Sequence, residues 1–322
     1  MTPILEMRSL SKTFRSGIRQ GGRLVHALTD IDLTVEAGES LGIVGESGCG
    51  KSTLARCALR LLKPDKGSVL YRGLDLQDLP PQELRTLRSE FQIVFQDSLA
   101  SLNPRMTVRE ILAEPFEVHR RGRQEAGARR MTELIAEVGL DESLIHRRPA
   151  ELSGGQQQRV AIARALALNP RLLIADEPVS ALDASVQTQI LNLLGQIRQG
   201  HGISLVMISH SFPVIRYLCS RIVVMYLGRI VEDAPADEFF RAPGHPYSRA
   251  LLESMPVMHQ KSPAGRPALP GEVPSAAAPP PGCPFHPRCP SVLAGCRMEI
   301  PPLRVCGRAK VACFLVDQDG EC

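Results

Sequence analysis

Three short stretches of this chain carry residue types that act on phosphates. The first runs Gly45, Glu46, Ser47, Gly48, Cys49, Gly50, Lys51, Ser52, with Thr53 behind it. Glycines let a backbone curl until its N–H groups face inward on a polyphosphate. Lys51 is then placed to reach the β- and γ-phosphates, and Ser52 to bind Mg²⁺. The second stretch is the apolar run from Arg171 that ends in Asp176 and Glu177. A carboxylate at such a strand end holds Mg²⁺ in nucleotide hydrolases. A neighbouring carboxylate can take the proton of an attacking water, an effect of about 10²–10⁴ in rate. The third is Leu152-Ser-Gly-Gly-Gln156. Ser153 is a favoured helix N-cap, and Gly154, Gly155 and Gln156 open a helix whose exposed N–H groups form an anion site. A chance glycine turn, two solvated acids and an ordinary capped helix are the bland alternatives. Each weakens once the three stretches occur together.

The surrounding pattern supplies elements to hold these groups. Ser40 to Val44 reads as a buried strand, and Lys51 to Leu62, with Leu54, Ala58, Leu61 and Leu62 at helical spacing, as an amphipathic helix. Residues about 97–168 read as mainly helical. After them a strand ends at Asp176, a helix spans Val186 to Gln199, a strand leads to His210, and Arg221 to Glu232 forms two strands around Gly228. Such alternation implies a mostly parallel sheet with helices on its faces. No internal repeat is visible, so the chain carries the motifs of one nucleotide site.

Composition narrows the function classes. The net charge of +4 over 322 residues is too mild to argue for nucleic acid. Arginines from His119 to Glu125, with Arg129 and Arg130, read as a solvated helix face. No apolar run approaches the roughly 18–20 residues that span a bilayer, and Met1-Thr-Pro-Ile shows no signal peptide. The expectation is a cytoplasmic chain that serves any membrane process through other chains.

The character changes after about Phe240. Prolines including Pro263, Pro267, Pro270, Pro274 and Pro279 to Pro281 predict a semi-rigid linker or surface arm. Cys283, Cys289, Cys296, Cys306, Cys313 and Cys322 follow. Clustered thiols in a cytosolic chain point to a metal or cluster, zinc or iron–sulfur, although the spacing is not that of a tight zinc knuckle. Free thiols in a loose tail remain the alternative. Cys49 and Cys57 read as small packing residues.

The phosphate loop and Leu152-Ser-Gly-Gly-Gln156 together resemble the ATP-binding subunit of an ABC transporter. That resemblance implies a P-loop ABC ATPase domain over residues 1–240: a RecA-like α/β core, an N-terminal antiparallel β part and a helical signature subdomain at about 97–168. It makes His210 the switch histidine at the γ-phosphate, Gln96 the Q-loop glutamine near Mg²⁺ and water, and Asp183 the D-loop residue. Phe14 becomes the adenine-stacking ring, with a core phenylalanine as its competitor. It also implies head-to-tail dimerisation, in which each Ser153 helix caps the ATP held by the other chain. Ser211 departs from the pattern, where aspartate usually follows the histidine.

Pro246-Tyr247, Gly282-Cys-Pro-Phe-His-Pro-Arg-Cys-Pro290, Cys296 and the segment Phe95 to Thr107 resemble the oligopeptide/dipeptide importer ATPases, in their F-type paralogue. This implies a C-terminal extension over 241–322 in which Cys283, Cys289, Cys296 and Cys313 hold a [4Fe–4S] cluster, with Cys306 able to compete with Cys313. The implied cofactors are ATP and Mg²⁺. The implied partners are a paralogous ATPase, two membrane permeases and an extracytoplasmic peptide-binding protein, with no nucleic acid. The implied location is peripheral, on the cytoplasmic face of the inner membrane. A nickel importer shares the same chemistry. A soluble ABC ATPase of DNA repair or translation is the reading from another class, but neither a coiled-coil insertion nor a second cassette is present.

Overall fold

The computed structural model describes residues 3–16, 23–119, 124–254 and 271–316. Arg120 to Arg123, Pro263, Pro267, Pro270 and Cys322 lie outside the described residues. The chain begins with strands β1 (Leu5–Ser16), β2 (Arg23–Val35) and β3 (Ser40–Val44), helix α1 (Lys51–Ala58) and strands β4 (Lys66–Tyr71) and β5 (Leu74–Asp75). Next come α2 (Pro81–Leu87), β6 (Phe91–Val94), α3 (Ser98–Ser101), α4 (Val108–His119), α5 (Gln124–Glu137) and α6 (Gly154–Leu166). The βα alternation then resumes with β7 (Leu172–Asp176), α7 (Ala184–His201), β8 (Ser204–Ile208) and α8 (Phe212–Leu218). Strands β9 (Arg221–Tyr226) and β10 (Arg229–Pro235), helices α9 (Ala236–Arg241) and α10 (Pro246–Glu253), and strands β11 (Arg304–Cys306) and β12 (Ala309–Val311) complete the order.

Two compact units emerge. One comprises the residues up to Ile4, Val35–Glu39 and Asp75–Ile208. Its strands β6, β7 and β8 are parallel, with Val94 beside Ala175 and Asp176 beside Ile208. Every residue of β7 and β8 is buried, which is why both read as continuous apolar runs rather than alternating ones. Helix α6 packs on α3, α4 and α7. Its Arg164 donates to the Ser101 carbonyl at 2.7 Å, and Arg159 bonds the Val138 carbonyl.

The other unit comprises Leu5–Thr34, Ser40–Leu74 and the chain from Ser209 onward. Strand β3 runs parallel to β9, Val44 beside Val224. Strands β9 and β10 form a hairpin whose turn is Leu227 and Gly228, both at positive φ. Late in the chain, β12 adds antiparallel to β10, and β11 to β12. Arg221 fixes this corner: it binds Asp233 through two bonds, at 2.6 and 2.7 Å, and the Thr34 carbonyl at 3.0 Å. A separate antiparallel sheet has the order β2-β1-β4-β5.

One element differs from the sequence expectation. Helix α1 ends at Ala58 rather than Leu62, and Leu61 is exposed instead of on its buried face. Pro64 disfavours helix in the residue before it. The chain closes the helix with Arg60 at φ 50, while the N–H groups of Leu61 and Leu62 return to the Arg56 carbonyl.

Candidate functional site

The stretch from Gly45 to Ser52 is the link between β3 and α1, so its glycines cross from a buried strand end to a helix N-terminus. At Gly45 a Cβ would stand 2.3 Å from the Met225 carbonyl oxygen, and at Gly50, φ 107, as close to that of Ala27. Backbone packs where a side chain would be, so these positions exclude any other residue. Lys51 is buried and turned back into the loop, donating to the carbonyls of Gly45 and Glu46 at 2.8 and 2.9 Å. A cation held inside a ring of backbone at a helix start is poised for a polyanion. Ser52 and Thr53 open α1 behind it.

Phe14 and His210 belong to the same unit as the loop. Phe14 is 39% exposed, which removes the core alternative, and Lys12 lies 5.7 Å from its ring centre. His210 is exposed beyond the end of β8, and the following Ser211 N–H donates to the Ser209 hydroxyl at 3.0 Å.

The other unit carries the carboxylates. Asp176 is the buried last residue of β7. Glu177 follows at φ 47, in the left-handed region. That conformation costs a non-glycine residue about 1–3 kcal/mol and persists only where its surroundings impose it. The Glu177 N–H is held by the Ile208 carbonyl at 2.9 Å. Gln96, just past β6, donates its amide to the Glu177 carboxylate at 3.3 Å. The structure thus brings together two residues that are 81 positions apart in sequence.

Ser153 caps α6 through a reciprocal pair: its hydroxyl accepts from the Gln156 N–H at 3.3 Å, and its own N–H donates to the Gln156 side chain at 2.9 Å. Ser153 and Gly154 are exposed. The absence of side chains at Gly154 and Gly155 lets the helix start seat against α7, since a Cβ on Gly155 would meet Val186 at 2.6 Å. Asp183, the exposed N-cap residue of α7, makes no side-chain capping bond.

The late cysteines gather. Cys283, Cys289, Cys296 and Cys313 line one small cavity with Phe285, His286 and Pro301, and all four are free thiols. Burial, reinforced by the neighbouring thiols, pushes Cys283 up to about 11, and burial also raises Cys289 and Cys313. Cys306 is disulfide-bonded and therefore does not compete with Cys313. Among the described residues no group of three or more His, Cys, Asp or Glu is placed to hold a metal ion.

Motif reasoning missed a set of residues that reach the loop from far along the chain. Arg288, with its side chain 5% exposed, grips the Glu46 carboxylate in two parallel bonds of 2.7 and 3.0 Å. The Tyr247 hydroxyl accepts the Glu46 N–H at 2.9 Å. Tyr226, Tyr247 and Phe285 pack as a cluster of rings 4.7–5.3 Å apart around these groups. The one sequence signal was that Tyr247 and Arg288 sit inside the motifs that carry the importer resemblance.

No described helix is long and apolar enough to cross a membrane. A family model described as ABC transporter matches residues 28–180, and one described as oligopeptide/dipeptide transporter, C-terminal region, matches residues 231–296. The chain is 49% identical over 307 residues to a protein of Sinorhizobium fredii named as a probable peptide ABC transporter ATP-binding protein, covering 93% of this chain and 86% of that one. It is 45% identical to the oligopeptide transport ATP-binding protein AppF of Bacillus subtilis, covering 97% of each. Among solved structures, the dimeric ATP-binding cassette MJ0796, in a post-hydrolysis state with ADP and Pi, matches with a TM-score of 0.65 and 33% identity. That match covers 72% of this chain and 98% of the cassette.

His245 gives this region a pH dependence. Burial holds its imidazole down to about 4, and its Nδ1 accepts the Tyr247 N–H at 3.0 Å, capping α10 in the neutral form. A folded-state value below the ordinary 6.5 means stability that is present above pH 6.5 and lost as pH falls through 4. Glu232, whose carboxylate accepts from Gly244 and His245, is raised by burial and acts in the opposite direction. Comparison with His245→Asn, which keeps a capping acceptor, isolates the histidine. The wild type should lose about 2–4 kcal/mol more than the variant between pH 7 and pH 4. Urea unfolding followed by tyrosine fluorescence reads this unit alone, because all four tyrosines lie in it and the chain has no tryptophan. Parallel pH profiles for the two proteins would contradict the assignment.

Proposed function

The chain belongs to the ABC transporter ATP-binding family, in its oligopeptide/dipeptide importer branch, and on that premise we propose how its residues power peptide import. The chain is an ATPase, and its hydrolysis drives di- and oligopeptide uptake through a membrane ABC transporter complex. The observation that carries the residue assignment is Lys51, buried and turned into a glycine loop at a helix start. On ATP binding Lys51 exchanges the Gly45 and Glu46 carbonyls for the β- and γ-phosphates, while the loop from Gly45 to Thr53 supplies N–H donors. Phe14 stacks on adenine, and His210 contacts the γ-phosphate.

Ser52, Asp176 and Gln96 offer hard oxygen donors, which fit Mg²⁺ shared with phosphate and water. When bound, that ion neutralises charge on the β- and γ-oxygens. Glu177 takes the proton of the attacking water. Its strained backbone and the Gln96 amide hold the carboxylate in one orientation. Gln96 also couples to a membrane partner, a role that its exposure past β6 supports. Ser153, Gly154, Gly155 and Gln156 cap the γ-phosphate of the ATP held by the opposite chain, and Asp183 communicates across that interface. The exposed start of α6, with its Ser153–Gln156 capping pair, supports this role, as does the dimeric state of the related cassette.

The second ATPase is a paralogue, so the working unit is a heterodimer on two permeases, fed by an extracytoplasmic peptide-binding protein. This subunit sits peripherally on the cytoplasmic face of the membrane. Residues 1–240 act as the ATP-binding domain and 241–322 as the importer-type extension. Within the extension, Cys283, Cys289, Cys296 and Cys313 would hold a [4Fe–4S] cluster, which would supply the positive charge that four clustered thiolates require. Anaerobic purification should give a brown protein with about four irons per chain, and Cys283→Ser should lose them. Colourless protein, or zinc in place of iron, would overturn the cluster.

The catalytic assignment is tested in the assembled complex. Glu177→Gln should keep ATP binding within about threefold of wild type while hydrolysis falls by about 10²–10⁴. Near-normal turnover of the variant would show that Glu177 is not the general base.

A further inference from the structure

The phosphate loop is held from outside by residues that no motif of the loop includes. Glu46 is the first residue after Gly45, and it is gripped at three groups. Its N–H goes to the Tyr247 hydroxyl, its carboxylate to Arg288, and its carbonyl to Lys51. The three contacts differ in what happens when nucleotide arrives. Lys51 must leave the Glu46 carbonyl to reach phosphate, so that bond is lost on binding. The Tyr247 and Arg288 bonds do not involve Lys51, so its departure leaves them in place.

We propose that Arg288 and Tyr247 are positioning residues for ATP: through Glu46 they keep the phosphate loop in its open form after Lys51 lets go of it. The construction suits the task. The guanidinium forms a fork with both carboxylate oxygens, which fixes direction as well as distance. It also lies 3.4 Å from the Tyr226 hydroxyl and 5.9 Å from that ring's centre. The Tyr247 ring is fully buried against Tyr226 and Phe285. Arg288 itself sits on a short turn, its N–H on the Phe285 carbonyl at 2.9 Å, between Cys283 and Cys289. The anchor is therefore rigid on one side and ionic on the other. A preorganised loop lowers the cost of ordering on ligand binding, so its loss appears in affinity.

This inference rests on the phosphate-loop reading, and the experiment separates the two. Affinity of the full chain for ATP is measured by calorimetry, and KM and kcat in the assembled complex. Tyr247→Phe removes one oxygen and leaves the ring packing. Arg288→Lys keeps the charge and removes the fork. Each should weaken ATP binding about five- to twentyfold and raise KM by the same factor, with kcat moving much less. Glu46→Gln, which keeps the shape and removes the charge, should behave like Arg288→Lys. Lys51→Ala serves as the reference. If it fails to weaken ATP binding, the phosphate-loop reading itself is wrong. If it abolishes binding while folded Tyr247→Phe and Arg288→Lys chains bind ATP as the wild type does, the loop reading stands and the positioning role is overturned. A fall in kcat with unchanged KM would also overturn it.

Discussion

A loop that binds polyphosphate through its own backbone faces a constraint. Most of its N–H groups must point at the ligand, so few of them can be used to hold the loop together. Here the restraint comes from elsewhere. Gly45 and Gly50 press against the Met225 and Ala27 carbonyls, and Glu46 is clasped by Tyr247 and Arg288. The buried aromatic cluster beneath those two residues and the strands β11 and β12 beside β10 then become part of the nucleotide site's foundation rather than an appendage.

The two carboxylates obey a related economy. Asp176 is simply the end of a buried parallel strand, and needs no special geometry. Glu177 must face a different direction one residue later, and the chain achieves this with a left-handed backbone pinned to Ile208. Local strain of about 1–3 kcal/mol is tolerable only because β7 and β8 are buried along their whole length and cannot relax to relieve it. The Ser153 helix start shows the opposite strategy. Its capping box pairs the N–H groups of Ser153 and Gln156, yet leaves Ser153 and Gly154 on the surface.

Much of this was legible in the sequence, for a physical reason. Strands β3, β7 and β8 are buried on both faces, so each appears as an unbroken apolar run, and the chemistry-bearing residues stand at their ends. The helix after the loop was read too long because Leu61 and Leu62 fit its spacing, while Pro64 acts on the backbone rather than on the pattern. Phe14 could not be told from a core ring, since exposure is a property of neighbours that the local sequence does not reveal. The Arg288 to Glu46 pair spans 242 positions and leaves no periodicity to find. The same holds for the bond between Gln96 and Glu177, which joins residues 81 positions apart.

The central claim is that ATP hydrolysed at this site moves peptides across a membrane. It is tested most directly by assembling the chain with its paralogous ATPase and two permeases in sealed vesicles. ATP is supplied on the ATPase side, and labelled di- and oligopeptides with their binding protein on the other. The account predicts peptide accumulation that requires ATP and tracks its hydrolysis. Hydrolysis that proceeds at the same rate with no peptide crossing, or uptake of nickel ions in place of peptide, would contradict it.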